Sequence, residues 1–136
     1  MPPPDIPSPE HLGRLLLLAS KHSAWACDLM SEVPELVENI CPQHRYPGLD
    51  LSARAHEAEQ EIRAAIASFD DNTADFFTAV LGLDTTRRTT ATVRFITAGR
   101  KYLGRSESTT KRGDWKAEQL LRLAFALYER LLRRDQ

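Results

Sequence analysis

Only two cysteines, Cys27 and Cys41, stand among the 136 residues. That excludes a disulfide framework of the kind small secreted scaffolds need. Long apolar runs are also missing. Runs such as Leu15 to Ala19 fall far short of the roughly 20 residues a membrane helix requires. Met1 to Pro7 has neither a basic nor an apolar stretch and reads as a Pro-rich tail rather than a signal peptide, so a soluble, cytoplasmic protein is the expectation. Glycines number six, and Gly99, Gly104 and Gly113 lack the spacing of a phosphate-cradling loop. No stretch alternates apolar and polar residues over a useful length, which argues against strands.

What remains is helical periodicity. Hydrophobic residues at 42% and charged residues at 27% suit one globular domain, assigned to residues 8–136 behind the 1–7 tail. Ser8 is placed to cap a first helix with Pro9 at its first position. Apolar residues then recur from Leu12 to Met30 as one stripe. Pro34 interrupts, and a short helix starting near Ser31 carries Leu36, Val37 and Ile40. Cys41 to Asp50 reads as a loop. A further helix from Leu51 buries Ala55, Ala58, Ile62, Ala65, Ile66 and Phe69, with Arg54 and Glu59 pointing elsewhere. Asp70 to Thr73 breaks it and caps a helix holding Phe76, Phe77 and Val80, ended by Gly82 with Leu83 folding back.

After the polar stretch Leu83–Thr90, a helix runs from Ala91 to Leu103 and stops at Gly104. Ser106 caps a short segment that ends at Gly113. Asp114 caps the last helix, whose stripe runs through Leu120, Leu121, Ala124, Leu127, Tyr128 and Leu131. The fold class is therefore all-α, a compact bundle of about five to seven helices. Leu16, Ile62, Phe77, Ile96, Leu121 and Leu127 are its expected core.

Chemistry is hard to find. Cys41-Pro-Gln-His44 has the spacing of half a zinc site, yet no second ligand pair follows it. His11 and His22, expected on one helix face, stand about three turns apart, too far to share a metal ion. Cys27 reads as a core cysteine, and Asp70, Asp71 and Asp75 as helix-start residues. No catalytic residue, metal or cofactor is assigned, and an enzyme is not the expectation.

Charge is distributed unevenly. Residues 1–84 carry 14 acidic and 5 basic side chains, a balance of −9, whereas residues 85–136 carry 5 acidic and 13 basic, a balance of +8. Such asymmetry points to an anionic partner for the basic part, or to two parts that face each other.

Within that basic part, Arg94 to Ser106 reads as a helix ending in Leu103-Gly104-Arg105-Ser106, followed by a polar segment and a Leu-rich helix. Residues 87–132 resemble the helix-turn-helix family, in which such a turn joins a support helix to a recognition helix; they are similar also to small actinobacterial helical modules with this turn. The motif needs a turn residue at positive φ, a small residue at the helix crossing and apolar residues behind the turn. Gly104 and Gly99 answer the first two needs, while Arg100, Arg105 and Thr110 are polar at family support positions. The resemblance implies a DNA-binding regulatory protein. Arg100, Lys101, Arg105, Lys111, Arg112 and Lys116 would meet the phosphates of double-stranded DNA, with Ser108 and Thr109 near the groove. The other reading is a helical protein–protein interaction module without nucleic acid, in which Gly104 merely ends a helix. Either version gives a reason to self-associate, as a homodimer or with another helical protein, through apolar stripe left on the first or last helix.

Overall fold

The computed structural model describes residues 6–84 and 89–135; the first five residues of the Pro-rich tail and the 85–88 part of the acidic–basic boundary lie outside the described residues. The described residues form an all-α bundle without strands: α1 (Pro9–Ser20), α2 (Ala26–Glu32), α3 (Pro34–Ile40), α4 (Leu51–Ile66), α5 (Asp71–Val80), α6 (Ala91–Leu103), α7 (Glu107–Thr110) and α8 (Gly113–Arg134). None of these helices is long and apolar enough to cross a membrane.

Local chemistry explains most boundaries. The Ser8 hydroxyl accepts the His11 N–H at 3.1 Å ahead of Pro9. Asp50, Asp70 and Thr90 cap α4, α5 and α6 in the same way. Gly82 sits at φ +65°, and the Leu83 N–H closes back on the Thr78 carbonyl at 2.9 Å, as the Gly-Leu pair suggests.

Tertiary bonds override the periodicity in one place. The stripe from Leu12 to Met30 is not one helix, because the chain leaves α1 after Ser20 and re-enters at Ala26. In between, the Ala24 N–H donates to the Leu81 carbonyl at 2.8 Å, and the Trp25 indole N–H donates to the Gly82 carbonyl at 2.7 Å. His22 lies past the end of α1, so it shares no helix face with His11. The following helix starts at Pro34 rather than Ser31, whose hydroxyl donates to the Cys27 carbonyl inside α2.

Packing centres on α8, which lies against α1 and α4, while α5 packs on α6 and α2 and α3 on α4. Helices α1 and α8 run antiparallel. The start of α1 and the end of α8 both meet α3, through His11–Glu35 at 3.3 Å and Arg134 to the Ile40 carbonyl at 2.7 Å. Their opposite ends both meet α6, where Arg94 reaches the Ser20 carbonyl and Lys116 lies over Phe95. An edge-to-face chain of Phe69, Phe77, Phe76 and Trp115 joins α5 to the start of α8, with centroids 5.1–5.7 Å apart.

Leu16, Ile62, Phe77 and Leu127 are fully buried, whereas Ile96 and Leu121 are only half-buried. Helix α6 turns Arg94, Phe95, Ala98 and Gly99 inward, which rotates Ile96 to the edge. Leu121 packs beside Gly13 of α1 and stays partly open along the groove there, whereas Leu120 and Leu123 are fully buried. Arg54 and Glu59 do not face solvent but are buried. Glu59 accepts the Ala26 N–H and the Arg63 Nε, both at 2.8 Å, and Arg54 pairs with Glu38 and donates to the Cys41 carbonyl. Both charged groups are hydrogen-bonded, the condition for burying them, with Arg54 Nε alone of these donors left without a partner among the described residues.

Candidate nucleic-acid interface

Helix α6 ends where Gly104 takes φ +64°, which a residue with a Cβ adopts only under strain. The Arg105 N–H then closes on the Gly99 carbonyl at 2.9 Å, and the Ser106 hydroxyl accepts the Thr109 N–H at 3.2 Å to start α7. The helix crossing is close. A Cβ on Gly99 would lie 2.3 Å from Thr110 Cγ2 and 3.5 Å from Trp115 Cη2. Thr110 is fully buried, its hydroxyl donating to the Glu107 carbonyl at 2.9 Å and its methyl facing Gly99. The polar support residue at 110 thus acts as a small apolar contact, with Trp115 supplying bulk.

Beyond the turn the geometry departs from the motif. Helix α7 is a single turn of four residues, and the chain bends again at Lys111. Gly113 does not end this segment; it is the first residue of α8. Asp114 does not cap α8 either, because Arg112 occupies the cap position and Asp114 lies inside the first turn. Buried Trp115, Leu120, Leu123, Leu127 and Leu131 commit α8 to the bundle. Ser108 and Thr109 therefore stand on one short turn, bonded to Ser106 Oγ at 3.1 and 3.0 Å, and no extended helix presents them.

The six basic residues fall into two groups. Arg100, Lys101 and Arg105 are exposed and have no acidic partner among the described residues, and Lys101 lies 5.2 Å from the Tyr102 ring. Lys116, half-buried, sits 5.2 Å over Phe95. Lys111 and Arg112 have acidic neighbours: Lys111 pairs with Glu107 at 3.1 Å, and Arg112 forks onto Asp114 at 3.1 and 2.8 Å. That fork raises the pKa of Arg112 and lowers that of Asp114. Both pairs are exposed, so they contribute little to stability and exchange readily for other anions.

Other basic residues of the same half serve the fold. The buried Arg94 guanidinium donates to the carbonyls of Ser20, His22, Val80 and Thr89, tying the ends of α1 and α5 to α6. Burial lowers its pKa, and Asp84 and Asp28 oppose that shift. Arg130 pairs with Glu61 at 3.1 Å; Arg134 reaches the Ile40 carbonyl, Tyr46 and Asp135. No pattern in the sequence distinguishes Arg94 from Arg100.

Among the described residues no group of three or more metal-ligating side chains converges. Cys41 is buried, its thiol pushed up to about 11 by desolvation, while His44 is exposed. Cys27 is exposed rather than in the core and lines a shallow cavity of ≈ 260 Å³ with His56 and Met30. No protein-family model, curated protein or solved structure matches the chain.

Proposed function

We propose that the protein binds double-stranded DNA through the end of the bundle built from α6, the Gly104 turn, α7 and the start of α8, as a DNA-binding regulatory protein would. The observation that carries this reading is the set of exposed cations Arg100, Lys101 and Arg105, grouped at the turn without acidic partners among the described residues. Side chains of this kind gain by meeting phosphates and releasing condensed counterions. Lys111, Arg112 and Lys116 extend the patch, the first two by exchanging Glu107 and Asp114 for phosphate. The close Gly99–Thr110 crossing supports a helix-turn-helix-like arrangement. The single-turn α7 favours phosphate contact over base readout, which needs a helix or ribbon lying in the groove.

Fluorescence anisotropy with a labelled duplex at low salt tests the reading. Binding in the micromolar range is expected, weakened about tenfold or more and similarly for all sequences by Arg100→Glu with Arg105→Glu. The fold should be unaffected, since both side chains are exposed. A folded protein that leaves duplex DNA unbound at tens of micromolar rejects it. A second reading, a helical interaction module, is favoured by Phe125, which is 46% exposed on α8.

A further inference from the structure

The outer face of α8 carries an ordered stripe. Glu118, Arg122, Phe125, Glu129 and Arg133 recur at steps of four, three, four and four residues and are all exposed. At 3.6 residues per turn this spacing keeps the five side chains within one narrow face. Arg122 leans on Gln119 at 3.0 Å and toward the Phe69 ring. Glu118, Glu129 and Arg133 have no ion-pair partner among the described residues, although the i,i+4 spacing of Glu118 to Arg122 and Glu129 to Arg133 would permit pairs within the helix. The stripe thus offers two charges of each sign around an exposed phenyl ring. Beside it, Leu17 and Leu121 line a shallow groove of ≈ 220 Å³ between α1 and α8.

The order of charges is self-complementary in one direction only. Arg122 lies three residues before Phe125 and Glu129 four after; Glu118 lies seven before and Arg133 eight after. Two copies of α8 laid antiparallel, with Phe125 at the two-fold axis, bring Arg122 to the partner's Glu129 and Glu118 to the partner's Arg133. Each match holds within one residue's rise of about 1.5 Å. A parallel arrangement sets each charge against its own kind. We propose that this stripe is a dimer interface, and that its occupant is a second copy of the chain in antiparallel, isologous contact. Phe125 and the flanking groove supply the apolar burial; the four charge pairs set direction and register, as flanking charges do in helical zippers.

The geometry also deepens the DNA-binding reading, on which this one consequence rests. Arg112 lies thirteen residues from the axis, about 20 Å along α8, so the two basic ends stand about 40 Å apart. That is close to the 34–36 Å between half-sites one helical turn apart.

Sedimentation equilibrium of the full chain without DNA, at low salt and tens of micromolar, tests the interface separately from DNA binding. Wild type should have twice the monomer mass. Phe125→Asp should be monomeric, with unchanged helical circular dichroism and melting. Arg122→Glu and Glu129→Arg should each weaken self-association about tenfold, while an equimolar mixture of the two should dimerise as wild type does, because every cross-pair is again opposite in sign. A monomeric wild type, a dimer that Phe125→Asp leaves intact, or a mixture no tighter than its components overturns the proposal. A dimer that ignores duplex DNA keeps the interface and rejects only the DNA-binding reading.

Discussion

The two ends of α8 treat most of their positive charge in opposite ways, exposed Arg133 being the exception at the C-terminal end. At its C-terminal end Arg130 and Arg134 are absorbed by Glu61, Asp135, Tyr46 and the Ile40 carbonyl. At its N-terminal end and across the Gly104 turn, Arg100, Lys101 and Arg105 are exposed, and Lys111 and Arg112 hold exposed partners they can release. A segment's net charge is therefore not a property of its surface. The +8 balance of residues 85–136 includes side chains that cement the fold and others that remain available to an anion, and only the second kind bears on function.

The sharpest way to break this contrast is to remove a cation from the structural group. Arg94→Ala leaves four carbonyls in or near the interior without their donor and should destabilise the protein by about 3 kcal/mol or more, measured by urea denaturation. Arg105→Glu in the exposed group should change stability by no more than about 0.5 kcal/mol. Equal losses for the two variants would erase the distinction.

Next in size is the helix crossing that presents the exposed group. Gly99→Ala places a methyl where Thr110 Cγ2 already stands and should cost about 1–3 kcal/mol by overpacking. Thr110→Ser in the same chain removes that methyl and keeps the hydroxyl bonded to Glu107, so the double variant should regain most of the loss. Thermal melts of the three proteins check this, and a double variant no more stable than Gly99→Ala would refute the account of the crossing.

The smallest effect concerns the buried end near Arg134. The Cys41 thiol is raised from an ordinary 9.0 to about 11 in the folded protein, chiefly by burial. Its contribution to stability is present in full below pH 9, and is lost as the pH rises from there through about 11, because the unfolded chain releases the proton first. Urea midpoints should fall over that window, and a Cys41→Ala protein should show less of the fall. In the native protein at pH 8 a thiol reagent should label Cys27 and spare Cys41.

Much of the fold was legible because its causes are local. Ser8, Asp50, Asp70, Thr90 and Ser106 are capping side chains, and Gly82 and Gly104 take the positive φ that their positions after helix ends suggest. What escaped depends on distant partners. The break between α1 and α2 is drawn by Leu81, Gly82 and Arg94, all far along the chain. Burial of Arg54 and Glu59 depends on Glu38, Cys41 and Ala26. At the candidate site the turn and the short segment behind it were readable, but the start of α8 at Gly113, with Arg112 rather than Asp114 at its cap, was not. Trp115, buried at the start of α8, docks edge-to-face on Phe76, a partner far along the chain, with the single turn of α7 just ahead of it. The charge pattern of the outer α8 stripe was in the sequence throughout. Only the exposure of all five residues marks it as a face.

The contrast between absorbed and available cations is tested most directly by the salt dependence of duplex binding. If Arg100, Lys101, Arg105, Lys111, Arg112 and Lys116 each meet a phosphate while the absorbed arginines meet none, log affinity should fall against log salt with a slope of about −5. Arg105→Glu should flatten that slope by about one unit, and Arg130→Ala should leave it unchanged. No detectable duplex binding, or a slope that Arg130→Ala flattens as much as Arg105→Glu does, would contradict the account.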